Sequence, residues 1–157
     1  MALLLALAFA TQVSPCTGSR LNATFAAIPG SEGAGNIVYT LRLKNRSTHT
    51  CWVSGLPQAT LFGRAGKKLP TQGRAEFPGE ATAIIVRLAP GKSASANARF
   101  SPDVPGVGEG HPGQCEPTAY SLLVRPNGGG TVRAPIRPAT PVCEHGQLSW
   151  SLLSASR

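Results

Sequence analysis

Helical periodicity is missing from this sequence. No long segment repeats apolar residues at helical spacing behind a capping residue, and no βαβ alternation is visible. Acidic residues are scarce: 7 Asp and Glu stand against 15 Lys and Arg, 11 of them Arg, for a formal charge of +8. Aromatic residues make up only 6% of the chain and do not interleave with the basic ones. A stacking surface for single-stranded nucleic acid is therefore not indicated. The basic residues do not cluster along the chain either, the densest groups being Arg42/Lys44/Arg46 and Lys67/Lys68. There is no G-x-S-x-G, no H-x-x-x-H or H-E-x-x-H and no C-x2-C, and Gly128-Gly129-Gly130 lacks the Lys-Ser/Thr of a phosphate loop. These absences argue against a nucleophile elbow, a zinc hydrolase, a thiolate zinc site and a P-loop. No apolar run approaches the about 20 residues that span a bilayer, and no internal repeat is present.

What the sequence does contain is turn residues between short alternating segments. Gly (18) and Pro (14) punctuate a chain of 157 residues, enough for one domain with a substantial core. The organising stretch is Ile37 to Pro57. Ile37, Tyr39, Leu41 and Leu43 alternate with Val38, Thr40, Arg42 and Lys44, a strand with one apolar face. A polar turn over 45–50 leads to a second apolar run at Cys51-Trp52-Val53. Further strands are predicted over 21–28, 59–62, 67–69, 82–88, 93–100, 119–125, 131–136 and 147–153, with Ile84, Val86 and Leu88 facing inward and Leu148, Trp150 and Leu152 sharing a face. The three alanines Ala94, Ala96 and Ala98 imply a bulky neighbour such as Trp52 or Trp150. Segments 70–80, 101–117 and 137–144 read as loops. The fold expected is all-β: an antiparallel β-sandwich with immunoglobulin-like or Greek-key connections and about eight strands.

Residues 1–15 read as a leader and 16–157 as one disulfide-linked domain. The run Met1 to Ala10 matches the apolar core of a secretory signal peptide, with Ala8-Phe9-Ala10 as an A-x-A cleavage pattern, although it is short and no basic residue precedes it. The four cysteines, Cys16, Cys51, Cys115 and Cys143, form an even set, which in an exported protein implies two disulfides. Three pairings are possible. The sequential one would close loops of about 35 and about 28 residues, worth roughly 3–4 kcal/mol each on the chain-entropy model. The rival is a zinc site using Cys143/His145 or His49/Cys51. Cys16 follows Val13-Ser14-Pro15, a poor context for lipid attachment, which favours a disulfide there.

Taken together, Cys16, then Tyr39-x-Leu41-x-Leu43-x-Asn45-x-Ser47 running to Cys51, Gly55 and Pro57, then Leu88-x-Pro90-Gly91-x-x-Ala94, then Cys115 and Cys143, resemble the bacterial secreted domain of unknown function 4232, found mostly in actinobacterial exported proteins and lipoproteins. The resemblance runs from about Cys16 to Leu153. It implies an exported β-sandwich with disulfides joining the first cysteine to the second and the third to the fourth, and it implies no known activity. Trp52 stands where the family more often has a small or polar residue, and the lipobox of many members is missing.

The function expected is a non-enzymatic, envelope-associated binding or structural module in the extracytoplasmic space. It would be a monomer without cofactor, metal or membrane span. Its partner would be an envelope component, either an anionic polymer or a protein, and not nucleic acid. The alternative is a hydrolase-like enzyme with a site in the 101–117 region, where Asp103, Glu109, Glu116 and His111 could form an acid/base group. Trp52 and Trp150 read as core residues. A tryptophan exposed beside Arg42 or Arg46 would instead suggest a carbohydrate or polyanion site.

Overall fold

The computed structural model describes residues 12–79, 82–111 and 115–156. Eleven strands and almost no helix are present: β1 (Leu21–Ala27), β2 (Ile37–Asn45), β3 (Cys51–Ser54), β4 (Gln58–Phe62), β5 (Gln72–Ala75), β6 (Ile85–Leu88), β7 (Ser93–Phe100), β8 (Ala119–Arg125), β9 (Val132–Thr140), β10 (Gln147–Trp150) and β11 (Ser154–Ala155). Nine belong to one sheet, ordered β4-β8-β9-β1-β2-β7-β10-β5 with β11 also on β7, while β3 and β6 pair separately. The large sheet curls nearly into a barrel. The segment joining β4 to β5 closes its two ends, with Leu69 N–H donating to Leu61 O at 2.9 Å and Leu61 N–H to Thr71 Oγ1 at 2.8 Å.

Strict alternation places the core. β2 buries Ile37, Tyr39, Leu41 and Leu43, and β7 buries Ala94, Ala96, Ala98 and Phe100. In register, Ala98 lies between Tyr39 on β2 and Trp150 on β10, so its small side chain leaves room for two large rings. Those rings join Phe25 and Phe100 in one aromatic cluster, with centroids 5.1 to 5.8 Å apart. Burying each such ring contributes about 2–3 kcal/mol. Tyr39 also places its hydroxyl, which donates to Pro138 O at 2.8 Å.

The sheet is mixed, not wholly antiparallel as the alternation suggested: β9 runs parallel to β1, and β5 parallel to β10. Neither pair is joined by a hairpin, so no tight turn sets its direction. β5 falls inside the expected loop 70–80. Three of its four residues are exposed, so it carries no alternation and is held by backbone pairing to β10. β11 was unmarked for the same reason. β6 is shorter than expected, and Ile84 is 57% exposed instead of facing inward. The return strand at 67–69 reduces to a single bridge, Phe62 to Lys68, after a tight turn at Arg64–Gly66. β9 continues through residues 137–140, since proline removes a donor from a strand without opposing its extended backbone. Leu153, and not Leu152, is the buried residue after β10.

Disulfides join Cys16 to Cys51 and Cys115 to Cys143, and no described cysteine is free. The proposed leader falls largely on residues outside those described. Backbone pairing begins ahead of Cys16: Trp52 N–H donates to Ser14 O at 3.1 Å and Cys16 N–H to Trp52 O at 2.8 Å. The turn after β8 packs closely on this segment. A Cβ on Gly128 would sit 2.7 Å from both the Pro15 and Cys16 carbonyl oxygens, so only glycine fits.

Candidate functional site

Strand register gathers the described acidic side chains at one end, while basic side chains occur at both. β2 and β7 pair from Ile37 with Phe100 at one end to Lys44 with Ser93 at the other, about 23 Å apart at the usual rise per residue. At the Phe100 end lie Glu32, in the β1–β2 turn, Glu76, bonded to Arg99, and the four acids Asp103, Glu109, Glu116 and Glu144. That accounts for six of the seven acidic residues. At the Lys44 end lie Arg20, Arg42, Arg46 and Lys92, with Arg87 on β6 and Arg125 on β8 close by. Among the described residues no acidic side chain is found there.

The acidic end is built on a left-handed turn. Cys143–Gly146 is a one-turn helical segment in which Glu144 and His145 have φ of 55° and 57°. Successive N–H groups in such a turn converge on an anion. The anion is Glu109, whose side chain is 2% exposed. Its carboxylate accepts N–H bonds from Gly106 and Glu144, each 2.6 Å, and from His145. The His145 ring meets Val107 O through Nε2 at 3.1 Å, and its Nδ1 lies 3.7 Å from Glu109. Glu116 completes the group: ligand-type atoms of Glu109, Glu116 and His145 lie within 4.8 Å of one another.

The two carboxyls are driven apart. Burial pushes Glu109 up, but the N–H bonds from Gly106, His145 and Glu144, with the His145 ring, outweigh it and its pKa is lowered. Glu116 is raised, first by burial, then by its hydrogen bond to Glu109 and the Glu109 charge, with His145 opposing. Relative to a free carboxyl, Glu109 is thus biased toward the ionised form and Glu116 toward the protonated one. The group could offer a cation three ligand atoms, yet the Glu109 oxygens already serve three backbone donors. Its present use is to fasten the 101–117 loop, beside the Cys115–Cys143 disulfide, to the turn before β10.

The linkage has two signs. Glu109 contributes stability above its unfolded-state value, and this is lost as pH falls through its lowered folded value. Glu116 contributes below its unfolded-state value, and this is lost as pH rises through its raised folded value. The loop is therefore held best on the mildly acidic side, between those limits. Hydrogen exchange at the Glu144 and His145 amides, corrected for intrinsic rates, is expected to be slowest in that window. Glu116→Gln should remove the severalfold loss of protection at higher pH and leave the loss at lower pH. Protection that stays flat across the acid range would show that the pair does not control the loop.

Of the four residues expected to act together, Glu109 and Glu116 are brought together and Asp103 and His111 are not. Asp103 and His111 are exposed and make no side-chain bond among the described residues, while Glu116 meets Glu109 and His145 instead. His145 was visible only as a histidine near Cys143. That cysteine, like Cys51 beside His49, is consumed by a disulfide, which removes the thiolate zinc reading. Trp150 is core, 1% exposed, but Trp52 is only half-buried.

Asn45, in the Asn-x-Ser motif, is structural. Fully buried, it donates through Nδ2 to His49 O and Leu88 O, each 2.8 Å, and its Oδ1 accepts from Ser47 N–H and Oγ–H at 2.9 and 2.8 Å.

No curated protein matches the chain in sequence. A sequence profile of a domain of unknown function, DUF4232, matches residues 16–153, the whole span bounded by the first cysteine and the last buried leucine. The chain belongs to the domain of unknown function 4232 family.

Proposed function

We propose that this protein is a non-enzymatic binding module of the extracytoplasmic space that holds an anionic polymer on its Lys44 end. Two disulfides suit an oxidising compartment. No described helix is long and apolar enough to cross a membrane. The observation that carries the reading is that the described carboxylates are confined to the opposite end, which leaves the bases of the Lys44 end without acidic neighbours. Arg42, Lys44, Arg46 and Arg20 face no carboxylate among the described residues, whereas Arg99, toward the other end, is neutralised by Glu76 at 2.8 Å. Between the arginines the outward face of β1, β2 and β7 carries Asn22, Thr24, Thr40, Ser93, Ser95 and Asn97, a surface of hydrogen-bonding groups. A field of one sign over such a surface raises the local concentration of a polyanion and makes its binding salt-dependent.

The test compares two charge reversals of equal size. Arg42→Glu with Lys44→Glu, and Lys67→Glu with Lys68→Glu, lower the net charge equally. The first pair is expected to weaken binding to polygalacturonate or polyphosphate at low salt by more than about tenfold, the second by less than about twofold. Equal losses would show that net charge alone is responsible and remove the reading. A hydrolytic reading has one observation in its favour, the gathering of Glu109, Glu116 and His145. With Glu109 committed to three N–H donors, it is the weaker of the two.

A further inference from the structure

Beside the basic end a tryptophan is held in place by three kinds of bond. Trp52 Nε1 donates to Val13 O at 3.0 Å, its backbone is bonded on both sides of Pro15, and the adjacent Cys51 is locked to Cys16. The indole is therefore fixed yet partly exposed, and a ligand stacking on it has no side chain to order. Arg87 stands directly across from Trp52 in the β3–β6 register, and Ile85, 63% exposed, lies on the same outward face. Together with Val13, Ser14 and Pro15 they line a cleft of about 720 Å³. A second cleft of about 410 Å³ lies on the other side of Val13 and Ser14 and adds Arg20 and His49. Arg46 N–H bonds Arg20 O at 2.9 Å, so the clefts run on into the Arg42–Lys44–Arg46 face. Among the described residues no carboxylate lines either cleft.

We infer that the Trp52 cleft is a subsite for an acidic sugar unit, of the uronate class, within the anionic polymer proposed above, on which this inference rests. A pyranose ring has an apolar C–H face that stacks on an indole, and its carboxylate meets a guanidinium through charge-assisted hydrogen bonds. Trp52 and Arg87 offer those two partners side by side. Gln12 and Ser14 add polar groups for ring hydroxyls. A polyphosphate chain has the charge but no apolar face, and would leave Trp52 unused.

The full chain is titrated with an oligogalacturonate hexamer, with polyphosphate of matched charge and with neutral maltohexaose, by calorimetry and indole fluorescence. Trp150 is buried, so the fluorescence response reports Trp52. The expected order is oligogalacturonate tightest and maltohexaose weakest. Trp52→Leu should weaken oligogalacturonate at least about tenfold and polyphosphate less than about twofold. Arg87→Ala, at an exposed strand position, carries the same test should Trp52→Leu fail to form both disulfides. If polyphosphate binds as tightly as the hexamer, or both variants bind the hexamer unchanged while the Arg42/Lys44 reversal abolishes binding, the sugar subsite is overturned and the polymer reading stands. If none of the probes binds, both fall.

Discussion

Replacing Cys16 and Cys51 together by alanine is expected to lower the free energy of unfolding by about 4 kcal/mol. The bond spans 35 residues of sequence, and restricting that loop in the unfolded chain accounts for most of the figure on the chain-entropy model. Both cysteines are fully buried, so the native state also loses packed sulfur. The bond anchors to β3 the segment that carries Ser14 and Pro15, on which the Gly128 turn packs so closely that a Cβ there would clash. Equilibrium urea unfolding of the double variant measures the loss. A change under about 1 kcal/mol would mean that strand pairing alone holds this segment. The Cys115–Cys143 bond spans a comparable 28 residues, but it ties down a loop that Glu109 also fastens. Its removal should free 101–117 before it unfolds the sheet.

Asn45→Ala is expected to cost about 3–4 kcal/mol, nearly as much, from one side chain. All of the amide's bonding capacity is in use in a site without solvent, and truncation leaves the Leu88 carbonyl and the Ser47 N–H short of a partner. The effect reaches beyond the side chain. The bonds to His49 and Leu88 tie the β2–β3 turn to the end of β6, and the backbone of Asn45 pairs with Lys92 and Gly91 across the next turn. Asn45→Asp should not rescue, because a carboxylate would face two carbonyl oxygens with no proton to share. Parallel urea curves for the two variants decide it. An aspartate variant as stable as the parent would show that the two carbonyl contacts carry no weight.

Several elements were legible without coordinates because one residue type repeats at period two. β7 was read to its ends from Ala94, Ala96, Ala98 and Phe100, and β8 from the apolar residues of 119–125. β5 and β11 were not, because Gln72-Gly73-Arg74-Ala75 and Ser154-Ala155 owe their extension to the backbones of β10 and β7 and show no face of their own. The parallel pairings were hidden for a related reason: alternation reveals that a segment is extended, not which strand it meets or in which direction.

The candidate sites divide the same way. Glu109 and Glu116 stood out as loop acids, but their partner His145 follows a cysteine 28 residues further on from Cys115, and the disulfide together with the Glu109 bonds brings the two segments together. Both tryptophans were read as core residues, exposure beside Arg42 or Arg46 being the condition for a sugar or polyanion site, and Trp52 is only partly buried. It stands beside Arg87 instead, because β3 pairs with β6 and leaves the large sheet.

The order of residues alone determined that this chain is all-β, that its β2 and β7 core faces are Ile37/Tyr39/Leu41/Leu43 and Ala94/Ala96/Ala98/Phe100, and that its cysteines come as an even set suited to an oxidising compartment. Each follows from local chemistry, side-chain alternation along a strand or the redox behaviour of thiols. Tertiary structure decided where the charge lies. Along the chain, acids and bases are scattered without pattern. Antiparallel register folds Lys44 against Ser93 and Ile37 against Phe100, and so carries the turns holding Glu32, Glu109 and Glu144 to one end and those holding Arg20, Arg46 and Lys92 to the other. Coulomb interaction depends on distance in space, and that distance is set by strand pairing.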